Sequence, residues 1–167
     1  DYVAWCWKAN GSGSSNTAGS INTTATSANT TSGFSIITYT GNATAGATIG
    51  HGIGIVPEFF VTKRRDPAES WTVYHASNGN NKYQILDTTA AAGTGTTLWN
   101  DTDPTTTLFS LGSGGNTNSN THTFVAYCWS PVQGFSKFGS YVGNGNADGA
   151  FVYTGFRPAY IMLKSTG

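Results

Sequence analysis

Phe124-Val125-Ala126-Tyr127-Cys128-Trp129 restates, type for type, the earlier Tyr2-Val3-Ala4-Trp5-Cys6-Trp7. Each hexapeptide alternates two sets of apolar residues, Tyr2, Ala4 and Cys6 against Val3, Trp5 and Trp7 in the first, and carries no charge. Period-two alternation of β-branched and aromatic residues reads as a strand. A strand apolar on both faces reads as covered on both sides.

Working outward, three more blocks recur in the same order. Gly33-Phe34-Ser35 returns as Gly134-Phe135-Ser136, and Tyr39-Thr40-Gly41-Asn42 as Tyr141-Val142-Gly143-Asn144. Gly54-Ile55-Val56-Pro57-Glu58-Phe59-Phe60-Val61-Thr62-Lys63 returns as Gly155-Phe156-Arg157-Pro158-Ala159-Tyr160-Ile161-Met162-Leu163-Lys164. The offset is 122 for the hexapeptide (124 − 2) and 101 for the last block (155 − 54). The difference of 21 falls in a Ser/Thr/Asn/Gly-rich stretch, 9–32, which shrinks to Ser130-Pro131-Val132-Gln133 in the second copy. Ordered self-similarity of this kind marks a repeat architecture.

Strand signals cover 2–8, 34–40, 58–63, 71–75, 82–87, 106–111, 122–129, 135–142, 150–154 and 158–164, separated by Gly- and Asn-rich turns. No stretch joins 3.6-residue apolar spacing to strong helix formers. The expected fold is all-β, a β-sandwich or jelly roll with an internal repeat. Residues 1–133 form one repeat unit with 9–32 as an inserted loop, and 134–167 begin a second copy, or else the second half of one pseudo-symmetric domain. Both ends open on strand-like residues, so a segment of a longer array is expected. With only Ile21 and a few alanines, the loop 9–32 lacks apolar area to offset the ~1–2 kcal/mol per residue of ordering entropy, and is expected to project from the body.

Composition narrows function. Charged residues are 10% and the formal net charge is zero, which leaves no electrostatic footprint for nucleic acid or an anionic membrane. No apolar run approaches the ~20 residues of a bilayer span. No HExxH, GxSxG, phosphate loop or spaced zinc set appears, and Asp101-Thr102-Asp103-Pro104, the nearest carboxylate pair, reads as a turn, so the chain is expected not to be an enzyme.

Site-like features are few. Asn144-Gly145-Asn146-Ala147-Asp148-Gly149 places oxygens of Asn144, Asn146 and Asp148 at alternate positions as a calcium loop does, yet Gly155 stands where the bidentate acid belongs. A calcium loop and an ordinary Asn/Gly turn both fit, and calcium is the one cofactor the sequence suggests. Trp71, Tyr83 and Trp99, in the unrepeated middle, could stack on a sugar ring or fill a core. Asn-x-Ser/Thr patterns at Asn10, Asn22, Asn29, Asn42 and Asn100 are frequent in so Asn- and Thr-rich a chain. Cys6 and Cys128 occupy equivalent positions; they could pair, but equivalence favours two buried thiols, and both are expected to be buried and unbonded to each other.

Tyr2-Val3-Ala4-Trp5-Cys6-Trp7-Lys8, Gly50-His51-Gly52-Ile53-Gly54, Lys63-Arg64-Arg65-Asp66 and Phe138-Gly139-Ser140-Tyr141-Val142-Gly143-Asn144-Gly145 resemble an uncharacterised repeat domain of marine bacteriophage structural proteins, often found beside concanavalin-like lectin domains. The resemblance covers the chain apart from 9–32. It implies a virion-surface, extracellular module of a tail fibre or related appendage, assembling with other virion or filament subunits as a homo-oligomer and contributing to host attachment, with a host-surface glycan as a further partner. The alternatives are a carbohydrate-binding lectin-like module and a subunit of an extracellular filament or capsid decoration.

Overall fold

In Phe34-Ser35-Ile36-Ile37-Thr38-Tyr39-Thr40, Ser35, Ile37 and Tyr39 turn to one face and are buried, while Ile36 and Thr38 on the other are half-buried. That alternation requires a partner on each side and a layer beneath. A computed structural model describes Ala4, residues 6–67 and residues 69–167. In chain order its strands are β1 (Ala25–Asn29), β2 (Phe34–Thr40), β3 (Ala47–Gly50), β4 (Phe59–Arg64), β5 (Thr72–His75), β6 (Lys82–Ile85), β7 (Gly93–Thr94), β8 (Leu108–Leu111) and β9 (Thr123–Trp129). Two one-turn helices, α1 (Thr96–Trp99) and α2 (Gly115–Asn118), complete the elements used below.

Among the described residues, seven strands form an antiparallel sheet in the order β1-β2-β9-β4-β5-β6-β7, and β3 pairs with β8 in a second, small sheet. β9, the last strand in the chain, lies near the middle. On one side Phe34 faces Trp129 and Thr40 faces Thr123; on the other Phe59 faces Trp129 and Arg64 faces Phe124. The covered-both-faces reading of Phe124–Trp129 thus places it where its hydrogen-bonding groups are used on both edges.

The β3–β8 pair and the two short helices lie over the inner face of the large sheet. Ile37, Tyr39, Phe60, Tyr74, Phe124, Ala126 and Cys128 from below meet Ile49, Ile53, Phe109, Leu111, Leu98 and Trp99 from above. Ring contacts knit the layers: Phe60 stacks on Tyr74 at 4.5 Å and meets Trp99 edge-on at 4.9 Å and Phe109 at 4.8 Å. The architecture is an all-β sandwich.

Three expectations change. Residues 135–142, 150–154 and 158–164 form no strand; among the described residues their one regular pairing is an isolated bridge between Val132 and Ser136. β2 and β4 are strands because β9 runs between them, and among the described residues no strand runs beside their second copies. The stretch 134–167 instead drapes over the large sheet, with Phe138 stacked on Phe59 at 5.7 Å, Gln84 Nε2 donating to the Ser165 carbonyl at 3.1 Å and Lys164 Nζ to that of Thr88 at 2.7 Å. The expected strand over 2–8 is not formed at Ala4 or 6–8, while Tyr2, Val3 and Trp5 lie outside the described residues.

The stretch 9–32 does not project. Its second half is β1, paired with β2 along its length; Ile21 is buried and bridges Ile49. Polar bonds, not apolar area, order it. Ser27 Oγ accepts from the Asn10 N–H at 2.9 Å and donates to the Gly11 carbonyl at 2.8 Å, and Thr23 Oγ1 accepts from the Asn16 N–H at 2.8 Å. A hydroxyl that satisfies two backbone groups at once substitutes for the area the stretch lacks.

Candidate functional site

The outer face of the large sheet carries the most distinctive surface. The residues of β9 that point away from the core, Val125, Tyr127 and Trp129, alternate with buried Phe124, Ala126 and Cys128. The same alternation turns Phe34 from β2, Phe59 and Val61 from β4 and Val73 from β5 to this side, where they are buried; Phe59, Val61 and Val73 form a second small core under Trp71, Leu86, Trp129 and Phe138. The rings form a continuous band. Trp129 lies 5.0 Å from Phe34, 5.3 Å from Phe59 and 6.3 Å from Tyr127, and Tyr127 stacks near Trp71 at 6.2 Å. Trp7 closes the band edge-on against Trp129 at 5.7 Å.

Trp71 is its most site-like member. The ring is half-buried, with Lys63 Nζ 5.5 Å above its centroid. That ammonium also donates to the Glu69 carbonyl, and the neighbouring Arg64 meets the Glu69 carboxylate at 3.6 Å. A cation over an aromatic face fixes the ring's orientation by attraction to its quadrupole. Its half-buried and exposed members, Trp71, Tyr127, Trp129 and Trp7, can stack flat or edge-on against another planar or apolar group.

The three aromatics singled out from sequence do not converge. Trp99 is 1% exposed and walled by Phe60 and Tyr74, so neither face of its ring can meet a sugar, a correction to its candidacy. Its role is core packing, as its apolar neighbours dictate. Tyr83 packs from the rim against the same inner core, so it and Trp71 serve opposite faces of the sheet.

Asn144, Asn146 and Asp148 do come together, as a self-contained turn. Asn144 Oδ1 accepts the Asn146 N–H at 3.0 Å, Asn146 Oδ1 accepts the Asp148 N–H at 3.2 Å, and Asn144 Nδ2 donates to the Gly149 carbonyl at 2.9 Å. The amide oxygens that a calcium ion would need are engaged with backbone, the Asx-turn use of these side chains. Among the described residues no group of three His, Cys, Asp or Glu could hold a metal ion, and no helix is long and apolar enough to cross a membrane.

Cys6 and Cys128 are both free thiols, but only Cys128 is buried; Cys6 is exposed, contrary to the expectation that equivalent positions share an environment. Burial pushes the Cys128 thiol well up. A shallow cavity of about 420 Å³ lies between 9–32 and the β3 exit, lined by hydroxyls and amides such as Ser14, Asn16 and Thr26. Two further polar sites are structural. His51 is fully buried, with Nδ1 accepting the Ile53 N–H at 3.2 Å and Nε2 donating to the Thr105 carbonyl at 3.1 Å; burial holds its imidazole below the usual range, and the bond to Thr105 acts the other way. Asp66 Oδ1 accepts both the N–H and the hydroxyl of Thr123 at 2.8 Å, which holds its carboxyl below the usual range.

Sequence reasoning missed Asn118. This fully buried amide donates to the carbonyls of Gly112 at 2.8 Å and Thr44 at 3.0 Å and accepts the Asn42 N–H at 2.9 Å, so it ties the β2–β3 loop and the loop after β8 to the end of α2. Nothing in a run such as Asn116-Thr117-Asn118-Ser119-Asn120 distinguishes the buried asparagine from its neighbours. The aromatic band was legible in part, as the Val125/Tyr127/Trp129 alternation.

No curated protein and no solved structure matches the chain. A family model described as a domain of unknown function, DUF7483, matches residues 1–167 from end to end, and the chain belongs to that family.

Proposed function

We propose that the chain is a non-catalytic structural repeat module of a phage virion appendage, a tail fibre or related surface protein, that works by assembly and surface contact and without a cofactor. The observation that carries this reading is the internal repeat: the β9 sequence occurs at 2–7 and 124–129, and the β2 and β4 sequences recur within 134–164. Repetition of one unit along a chain builds length and multiple contact surfaces, the properties an appendage uses. The low charge and hydroxyl-rich surface suit an extracellular particle, and the resemblance to phage repeat domains points the same way. Mass spectrometry of purified virions from the phage or lysogen that encodes the chain, with immunogold labelling, tests the assignment. The chain is expected on the appendage; its absence from virions overturns the reading.

A carbohydrate-binding role is the second reading, favoured by Trp71, which lies half-exposed in the aromatic band beneath Lys63. Stacking of a sugar on Trp71 would appear on a glycan array as binding that Trp71→Ala abolishes. An array with no signal above background removes this reading and leaves the first intact.

A further inference from the structure

The sequence carries the parts of a second sheet centre that is not assembled among the described residues. In the first unit, β9 lies between β2 and β4, and all three strands are buried by that arrangement. Phe60 is 1% and Thr62 0% exposed; their counterparts Ile161 and Leu163 are 66% and 68% exposed. Ala126 and Cys128 are fully buried; their counterparts Ala4 and Cys6 are exposed. The large exposed apolar residues are concentrated within 135–163, where Phe135, Tyr141, Val142 and Phe151 join those named. The second copies of β2 and β4 thus offer two apolar edges, and 2–7 carries the sequence of the strand that fills such a gap in the first unit.

We propose that residues 2–7 of one copy of this chain insert as a strand between residues 135–141 and 160–164 of a second copy, completing there the β2–β9–β4 arrangement. The first unit fixes the register. Phe34 and Phe59 both face Trp129, so Phe135 and Tyr160 face the incoming Trp7; Phe60 faces Cys128, so Ile161 faces the incoming Cys6. Trp7 and Tyr160 already meet edge-on at 5.7 Å within one chain, a counterpart of the Trp129–Phe59 contact at 5.3 Å. Within one chain the described residues do not make this pairing: 6–8 and 158–164 form no strand, and Cys6 and Ile161, which face each other in this register, are both exposed. A second copy can supply it.

On the acceptor side Phe135, Ile161, Met162 and Leu163 expose large apolar side chains, and on the donor side Trp7 is 36% exposed; large rings of this kind dominate interface energetics. Backbone bonds on both edges of the added strand supply affinity, and the alternating side chains supply register. Each copy carries both a donor and an acceptor on different surfaces, so the contact is head-to-tail and extends into an open string.

The proposal rests on the reading of the chain as an assembly module, and its test separates the two: solution mass reports strand pairing, whereas virion association reports the reading. Light scattering of the full chain over a dilution series, in reductant because Cys6 is exposed, should show mass rising with concentration from the 17.5 kDa monomer. Cys6→Arg disables the donor and Ile161→Arg the acceptor; both residues are exposed in the folded chain, and circular dichroism checks that both variants fold. Each variant alone should stay monomeric. Mixed, they should form a species of two chains and nothing longer, because one retains its acceptor and the other its donor. A parent chain monomeric at every concentration, oligomers that survive either variant, or a mixture that stays monomeric overturns the proposal.

Discussion

Replacing Asn118 with alanine removes three hydrogen bonds from a site with no room for solvent. The amide donates to the Gly112 carbonyl at 2.8 Å and the Thr44 carbonyl at 3.0 Å, and accepts from the Asn42 N–H at 2.9 Å. The Gly112 bond is fully buried, so its orphaned carbonyl incurs the desolvation penalty of about 1–3 kcal/mol. Thr44 and Asn42 lie in an exposed loop and recover water, so each costs nearer the net ~1 kcal/mol of an ordinary bond. The sum is about 3–5 kcal/mol. Aspartate is the sharper variant: it keeps the acceptor and the shape but loses both donors and buries a charge, so it should cost at least as much. Urea unfolding followed by tryptophan fluorescence reads the effect as a fall in midpoint at unchanged slope. In a domain of this size the alanine variant should also melt roughly 10 °C lower. A loss under about 1 kcal/mol for both variants would show that the two loops are held by something other than this amide.

Other perturbations follow from the same geometry. Phe60→Ala, at the junction of the two layers, should cost about 3–5 kcal/mol by urea unfolding; a loss below about 1 kcal/mol would contradict the packing described. Trp99→Phe should cost far less than Trp99→Ala, because among the described residues the indole N–H is buried with no acceptor and phenylalanine removes that penalty along with the volume; equal losses would refute this. Gly112→Ala should unfold or strongly destabilise the chain, since its methyl would fall on the Thr97 carbonyl; a thermal scan matching the parent would sink the close approach. His51 is held neutral in the fold and binds a proton more readily when unfolded, so the unfolded state takes up more protons once pH falls through about 6.5. Stability should decline from there toward lower pH and level off only below the native imidazole's own pKa. Burial also holds His75 below the usual range and adds to the same decline, so His51→Gln should reduce it without abolishing it, and a parent curve flat between pH 7 and the carboxylate range would refute the assignment.

The strands legible in the sequence were those whose alternation is apolar: 34–40 coincides with β2, and 122–129 differs from β9 by one residue. β1 was not legible, because Ala25-Thr26-Ser27-Ala28-Asn29 has no large apolar residue. It is held at the sheet edge by backbone pairing with β2 and by Ser27, interactions that depend on distant residues. The signals over 135–164 are as strong as those over 34–63, yet no strand forms there. A strand signal reports what a segment can pair with, and the partner decides whether it does. The site followed the same division. The outward alternation of β9 was readable, whereas the burial of Trp99 and the tie at Asn118 depend on which loops meet.

The placement of β9 has a consequence for biosynthesis. β2 and β4 are made early, but the strand that joins them ends at Trp129, 89 residues after Thr40 (129 − 40). β4 ends at Arg64, 65 residues before Trp129 (129 − 64), so at a synthesis rate of ~5–20 residues per second the slot between the two edges waits roughly 3–13 s for its partner. During that interval Tyr2-Val3-Ala4-Trp5-Cys6-Trp7 has already left the ribosome with the same alternation as the missing strand. The nascent chain therefore carries its own decoy: the slot is first open to the wrong copy, and later residues must displace it or find it unoccupied.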